Sequence, residues 1–340
     1  MQLIVPTYDR PKKLERTLAF YDKELQDSQT QIIILDGAKL NENDLILKKY
    51  PNAIHVKKPG SSFLERLISH LSDVDDSELV CLGNDEDVFL NKYLSSAEIF
   101  LTGNPTYSAF LGRYFTLCRP VLRVHRSTHL RSRITKCSID YENSARRLNL
   151  LSHVLLAGCS PVFFGVRRAC DFKKSLNLQN RFNIETTQEL VDQIYLALKG
   201  KIKFSDDLML LRDETKIGYK HYNTRHDLQT YFDDTELEHL VGVLSSEMKL
   251  DANASSAVEE FCDLRRTQEI GSNISIALML SRNEICNHKG FVDKMQSTKL
   301  FYISKFLKMM EELLFFQIDK KQISKEIGAH FYDWCRIVKH

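Results

Sequence analysis

Two carboxylates with one residue between them, Asp85 and Asp87, follow directly on the apolar run Leu79-Val80-Cys81-Leu82. A run of that kind reads as a buried strand, which puts the pair on a strand-end loop. From there both can reach a hard divalent cation, Mg2+ or Mn2+, that also holds substrate phosphates. An Asp-x-Asp is also ordinary turn chemistry; its place after a fourth strand is what favours a ligand site. A second segment, Pro6-Thr7-Tyr8-Asp9-Arg10-Pro11, ends one apolar run and opens a helical pattern. It offers backbone N–H groups, a hydroxyl, an aromatic face and a guanidinium, which suit a base and a phosphate. A capped helix start with a surface arginine would look the same. Asp36 closes another apolar run, where it can accept from ribose hydroxyls or a base N–H, or form a turn with Gly37.

The elements that must position these residues alternate in the first half of the chain. Leu3-Ile4-Val5, Ile32–Leu35, Ala53–Val56 and Leu79–Leu82 read as short buried strands. Between them, residues 11–25, 42–50 and 62–71 carry helical spacing, with Leu14, Leu18, Tyr21 and Leu25 on the first apolar face. This βαβαβαβ order predicts crossover units and a largely parallel sheet, whose ligands bind at the edge where the strands end. Further on, Phe110–Phe115, Pro161–Val166 and Leu208–Arg212 read as strands, and Thr187–Leu198 as a helix ending at Gly200. Beyond about Asp227 the pattern is helical. The expected division is an α/β domain over 1–226 and a helical domain over 227–340.

Composition narrows the function classes. The 340 residues carry 47 Lys and Arg against 45 Asp and Glu, a net charge of +2. That balance argues against a broadly basic nucleic-acid binder. No apolar run approaches the ~20 residues of a membrane span, and Met1–Pro6 reads as a first strand rather than a signal peptide. The eight cysteines are scattered, without zinc-finger spacing, and read as small reduced core residues. A cytoplasmic chain is expected.

The three segments Val5–Arg10, Ile33–Gly37 and Gly83–Asp87 together resemble the GT-A glycosyltransferases, close to the large family-2-like group. The resemblance covers about residues 1–225. It implies a Rossmann-like, mostly parallel nucleotide-sugar domain, with Thr7, Tyr8, Arg10 and Asp36 on the nucleotide. Asp85 and Asp87 would hold Mn2+ or Mg2+ on the donor diphosphate. Arg66, in Leu64-Glu65-Arg66-Leu67, resembles a basic residue that these enzymes turn toward the nucleotide. Phe164–Arg168 is similar to the family's strand ending in a basic pair. The family's Glu-Asp at a helix start is matched by Glu189, but Leu190 replaces the second acid. Glu189 is therefore the first choice of general base, with Glu185 the alternative. His221 and His226 stand where some relatives place a third metal or phosphate contact, and His226 is carried as a metal candidate; both also fit surface histidines.

The implied reaction is metal-dependent transfer of a sugar, with inversion, from a nucleotide-sugar (a UDP-sugar foremost) to a glycan or lipid-linked acceptor in surface polysaccharide synthesis. Nine Lys or Arg against two acidic residues between Arg113 and Arg147 suit an anionic acceptor, or simply a solvated face. Leu300–Ile318 reads as an apolar helix packed on its own domain or on a second copy, with peripheral contact at the inner membrane face as the other reading. Two competitors stand beside the transferase. One is an inactive nucleotide-sugar-binding or partner-binding protein, kept alive by Leu190. The other is a sugar nucleotidyltransferase, disfavoured because no glycine-rich phosphate loop follows the first strand.

Overall fold

The computed structural model describes residues 1–118, 129–133, 139, 141–148, 151, 162–182, 185–214 and 234–263. The strands are β1 (Gln2–Thr7), β2 (Gln31–Asp36), β3 (Ala53–Lys57), β4 (Leu79–Leu82), β5 (Val88–Phe89), β6 (Tyr107–Cys118), β7 (His129–Arg133), β8 (Arg167–Arg168) and β9 (Lys201–Glu214). The helices are α1 (Pro11–Glu24), α2 (Glu42–Leu47), α3 (Phe63–Ser72), α4 (Asn91–Gly103), α5 (Ala169–Gln179), α6 (Glu185–Lys199) and α7 (Asp234–Met248).

The first sheet has the order β3-β2-β1-β4-β8, parallel except for β8. Its strands are apolar on both faces because both faces are covered. Leu3, Val5, Ile32, Ile34 and Cys81 point into one core with Leu14, Leu18 and Tyr21 of α1. Ile4, Ile33, Leu35, Val80 and Leu82 point into another with α3 and α5. The two-residue alternation of a strand thus divides each apolar run between two layers. This is a mixed α/β, Rossmann-like unit, and its strand order reverses beside β1, which pairs with both β2 and β4.

A second sheet, β5-β9-β6-β7, abuts the first. Its long central pair β6 and β9 runs parallel, with register shifts around Gly112. A third core joins Ala109 and Leu111 of β6 to Leu190, Val191 and Ile194 of α6. Leu240 and Leu244 of α7, and Val258 and Phe261 of the helical run over 252–263, belong to the same core. The described start of the helical region thus packs on the α/β unit. The 226/227 boundary, and the Leu300–Ile318 helix, lie outside the described residues.

Two expectations change. The described part of the expected Pro161–Val166 strand, residues 162–166, is not one: Val162–Phe164 forms a 3-10 turn, Val166 makes a lone bridge with Phe110, and Arg167–Arg168 pairs with β4. The ends of the arginine-rich stretch turn inward. Arg147 donates to the carbonyls of Ala197 (2.7 Å) and Leu198 (2.8 Å), the last turn of α6, and to those of Tyr141 (2.9 Å) and Glu142 (2.6 Å). It satisfies acceptors that a helix C-terminus leaves open. Arg113 Nε donates to the Asp206 carbonyl, and exposed Arg146 lies over the Tyr141 ring, 4.0 Å from its centroid. The side chains of the other six basic residues lie outside the described set. Cys81 and Cys262 are buried free thiols. Among the described residues no helix is long and apolar enough to cross a membrane.

Gly112 is required by close approach: a Cβ there would lie 2.6 Å from the Asp207 carbonyl oxygen and 2.8 Å from Met209 Cβ. Gly112→Ala is expected to cost about 1–3 kcal/mol, read as a lowered urea midpoint. His70 of α3 is half-buried against Gln2 Oε1 at 3.0 Å, and desolvation lowers its pKa. The folded chain therefore binds the His70 proton less readily than the unfolded chain. The stability this group contributes is present above about pH 6.5 and is lost as pH falls through the depressed folded value. His70→Gln should flatten the decline in melting temperature over that interval.

Candidate functional site

The cleft opens at the C-terminal ends of β1 and β4, beside the strand-order reversal, where open α/β sheets bind ligands. It encloses about 340 Å³, and its lining includes Thr7, Tyr8, Arg10, Arg66, Asp85 and Glu189. Six of the residues picked from sequence therefore meet in one place, although they span 183 positions of the chain.

Helix α1 builds the acidic wall. Thr17 Oγ1 donates to the Asp85 carbonyl at 2.9 Å, Arg16 to the Glu86 carbonyl at 3.2 Å and Tyr21 Oη to the Asp87 carbonyl at 3.4 Å. The Phe89 amide donates back to Tyr21 Oη at 3.2 Å. Within the loop, Asn84 Oδ1 accepts from the amides of Glu86 and Asp87, both at 2.7 Å. Asp85 is 3% exposed; its Oδ2 accepts from Thr7 Oγ1 at 2.8 Å and its Oδ1 from Arg10 at 3.3 Å. Burial pushes its carboxyl above the usual range, while Arg10 and Thr7 pull it back. Arg10 also meets Glu86 at 2.5 Å, and Lys13 contacts the same Glu86 oxygen.

Asp87 is placed differently. It is buried, does not line the cleft, and accepts at Oδ2 from the Asn84 side-chain amide at 2.8 Å. Asp85 thus fits a divalent cation as a carboxylate lining the cleft, whereas Asp87 lies behind it with its Oδ2 on Asn84.

The opposite side is aromatic and cationic. Arg66 is 5% exposed, donates to the Ser61 carbonyl at 2.6 Å, and lies 6.0 Å from the centroid of the Tyr8 ring. Its Nε has no hydrogen-bond partner among the described residues. Residue 37 must be glycine for this seat, since a Cβ there would fall 1.9 Å from an Arg66 nitrogen. Asp36 stays behind the wall, wholly buried. Its Oδ1 accepts from the Ala38 amide (2.8 Å) and Asn43 (3.0 Å), and its Oδ2 lies 3.2 Å from His55 Nε2. As placed, it holds the loop after β2 and does not reach the cleft. Asp36, Asp44 and His55 have ligand atoms within 4.8 Å of one another, close enough to hold a metal ion. Lys57 already pairs with both Asp44 oxygens at 2.9 and 2.7 Å, so a cation there would compete with an ammonium.

Glu189 stands exposed on α6 at the far wall, beside Gln188 and Gln179. Glu185 opens α6 one turn earlier; its side chain, like His221 and His226, lies outside the described residues. Leu190 points into the third core. Beneath Glu189 is a feature the sequence reading missed. Arg167, fully buried, donates to Asp192 of α6 at 2.5 Å and to the Phe163 carbonyl at 2.8 Å, and stacks 4.0 Å from the Phe172 ring centroid. Asp192 also accepts from Ser175 at 2.5 Å. The signal was present as Arg167, but its partner 25 residues on is set only by the fold.

Comparison with known proteins gives likenesses of structure alone. No protein-family model matches the chain, and no curated protein matches its sequence. Among solved structures, TarS of S. aureus is similar at 11% identity, over 80% of this chain and 53% of its own, with a TM-score of 0.38. The chain thus spans about half the length of TarS. The mannosyltransferase PcManGT from Pyrobaculum calidifontis, in complex with GDP-Man and Mn2+, matches at 12% identity over 87% of this chain and 82% of its own, TM-score 0.42. A 4-diphosphocytidyl-2C-methyl-D-erythritol synthase matches at 8% over 61% and 88%, TM-score 0.36. No residue role is carried across from them.

Truncating one side of the buried pair leaves a charge stranded. Asp192→Ala is expected to lower stability by about 3–5 kcal/mol, measured by urea unfolding, with only part of the loss recovered in Asp192→Asn, which keeps hydrogen-bonding atoms but still strands the Arg167 charge.

Proposed function

We propose that the chain is a glycosyltransferase that takes a sugar from a nucleoside-diphosphate donor and passes it to a hydroxyl acceptor with inversion. Residues 1–226 form its catalytic domain and 227–340 a helical domain. The observation that carries the reading is that Thr7, Tyr8, Arg10, Arg66, Asp85 and Glu189 line one and the same cleft.

Tyr8 and Arg66 offer a base an aromatic face and a guanidinium beside it. Thr7 and Arg10 flank the diphosphate position. Mg2+ or Mn2+, when bound at Asp85, supplies Lewis acidity toward the charge on the departing diphosphate. Asp85 would hold the ion, with Asp87 two residues on as a further hard oxygen donor. Glu189 accepts the proton of the acceptor hydroxyl as that oxygen forms its bond to the anomeric carbon. The bond to the diphosphate breaks on the opposite face, and the configuration inverts. The acceptor is a glycan or lipid-linked sugar of surface polysaccharide synthesis.

A second reading, binding of a nucleotide-sugar without turnover, is favoured by Leu190 alone, which leaves no second acid at the start of the motif. The two are separated by incubating the protein with a panel of nucleotide-sugars, with Mn2+ or EDTA, and following released nucleoside diphosphate. Metal-dependent release from one donor is expected, reduced about 100-fold or more in Asp85→Asn. Glu189→Gln should lower transfer about 10²–10⁴-fold while leaving donor affinity within a few-fold. Nucleotide-dependent stabilisation without any release would establish the binding reading instead.

A further inference from the structure

The acidic loop already contains a cation. Arg10 Nη1 lies 3.3 Å from Asp85 Oδ1 and 2.5 Å from Glu86 Oε1, and Thr7 donates to the other Asp85 oxygen at 2.8 Å. Each oxygen of Asp85, the carboxylate of this loop that lines the cleft, therefore already carries one of this chain's own donors. A divalent ion would have to share these oxygens with both donors, and it is repelled by the guanidinium beside one of them. Lys13 differs: it pairs with Glu86 and acts on Asp85 only through its charge, more weakly than Arg10. Thr7 is neutral and can rotate its proton away. Arg10 is the group that must leave.

Arg10 is also built to leave. Its side chain is 46% exposed, it lines the cleft, and both its bonds depart from Nη1. A guanidinium with donors to spare at the mouth of a cleft is suited to bidentate phosphate recognition. A diphosphate entering the cleft offers Arg10 a doubly charged partner in place of one oxygen from each of two carboxylates, that of Glu86 already shared with Lys13.

We infer that Arg10 is an internal counter-ion that blocks the divalent-cation site at Asp85 until the diphosphate of an incoming nucleotide draws it away. The inference rests on the reading of Asp85 as a metal ligand. Metal and nucleotide then bind with positive coupling beyond their direct contact, and the coupling is reciprocal. Arg10 acts here as a positioning residue: it sets the order of assembly and touches the metal only by exclusion.

Mn2+ binding, followed by the electron paramagnetic resonance of the free ion, tests this without any turnover. Wild type, Arg10→Gln, Arg10→Lys, Lys13→Gln and Asp85→Asn are titrated alone and with saturating UDP or GDP. Binding that persists in Asp85→Asn belongs to another site, such as Asp36/Asp44/His55, and is subtracted. Arg10→Gln is expected to bind Mn2+ without nucleotide about tenfold more tightly than wild type, the scale of removing one adjacent charge. Arg10→Lys and Lys13→Gln should stay within about threefold of wild type, and the tightening by nucleotide should shrink in Arg10→Gln.

Equal Mn2+ affinity in wild type and Arg10→Gln overturns the inference while leaving the metal reading intact, provided Asp85→Asn loses the nucleotide-dependent site. An equal gain in Lys13→Gln overturns it too, because general charge would then explain the effect. No difference between wild type and Asp85→Asn under any condition overturns the metal reading and the inference together.

Discussion

The loop from Gly83 to Asp87, between β4 and β5, has no regular structure of its own, and everything proposed for the cleft depends on its being held still. Helix α1 does the holding. Lys13, Thr17 and Tyr21 recur at helical spacing on one face, with Arg16 beside them, and each bonds to a residue between Asp85 and Phe89. The same helix starts immediately after the Thr7–Arg10 segment, so it fixes the strand end that supplies two of the cleft's donors. One element thereby sets the relative position of Thr7, Arg10 and Asp85. The cost of burying Asp85 is tolerated because those neighbours supply a hydroxyl and a positive charge.

The far wall is made by other means. Helix α6 is held at its C-terminal end by Arg147, which gathers its last carbonyls, and from within by Asp192 on Arg167. Arg167 belongs to β8, the antiparallel edge of the first sheet, whereas α6 packs chiefly into the third core. The Arg167–Asp192 bond therefore crosses from one packed unit to the next. It fixes how far Glu189 stands from the ends of β1 and β4. A buried pair of this kind contributes more to geometry than to net stability, because desolvating both charges offsets much of their attraction.

The first sheet could be read from sequence because its strands are buried on both faces, and such strands appear as unbroken apolar runs bounded by turn residues. The parallel order and the location of the cleft followed from that alternation. Local signals failed where tertiary context decides. Val162-Phe163-Phe164 is as apolar as a strand, yet Gly165 turns the chain and only two residues reach β4. Tyr21 was legible as an apolar-face residue but not as a hydrogen-bonding one, since nothing local shows that its hydroxyl ends on Phe89 and Asp87. Asp36 was legible as the end of a strand. Whether its carboxylate points outward or back into its own loop depends on Asn43 and His55, which are 7 and 19 residues away. Arg113 and Arg147 look like surface charge in a basic stretch, and only the fold brings backbone carbonyls to them.

The two walls of the cleft draw their rigidity from different packed units, joined through one buried ion pair and the parallel seam of β6 with β9. The bonds from α1 to the loop after β4 and those from Arg147 and Arg167 to α6 share no residue. The molecule is thus constructed as two half-sites of separate upkeep. One face can be retooled for a new partner while the other keeps its own.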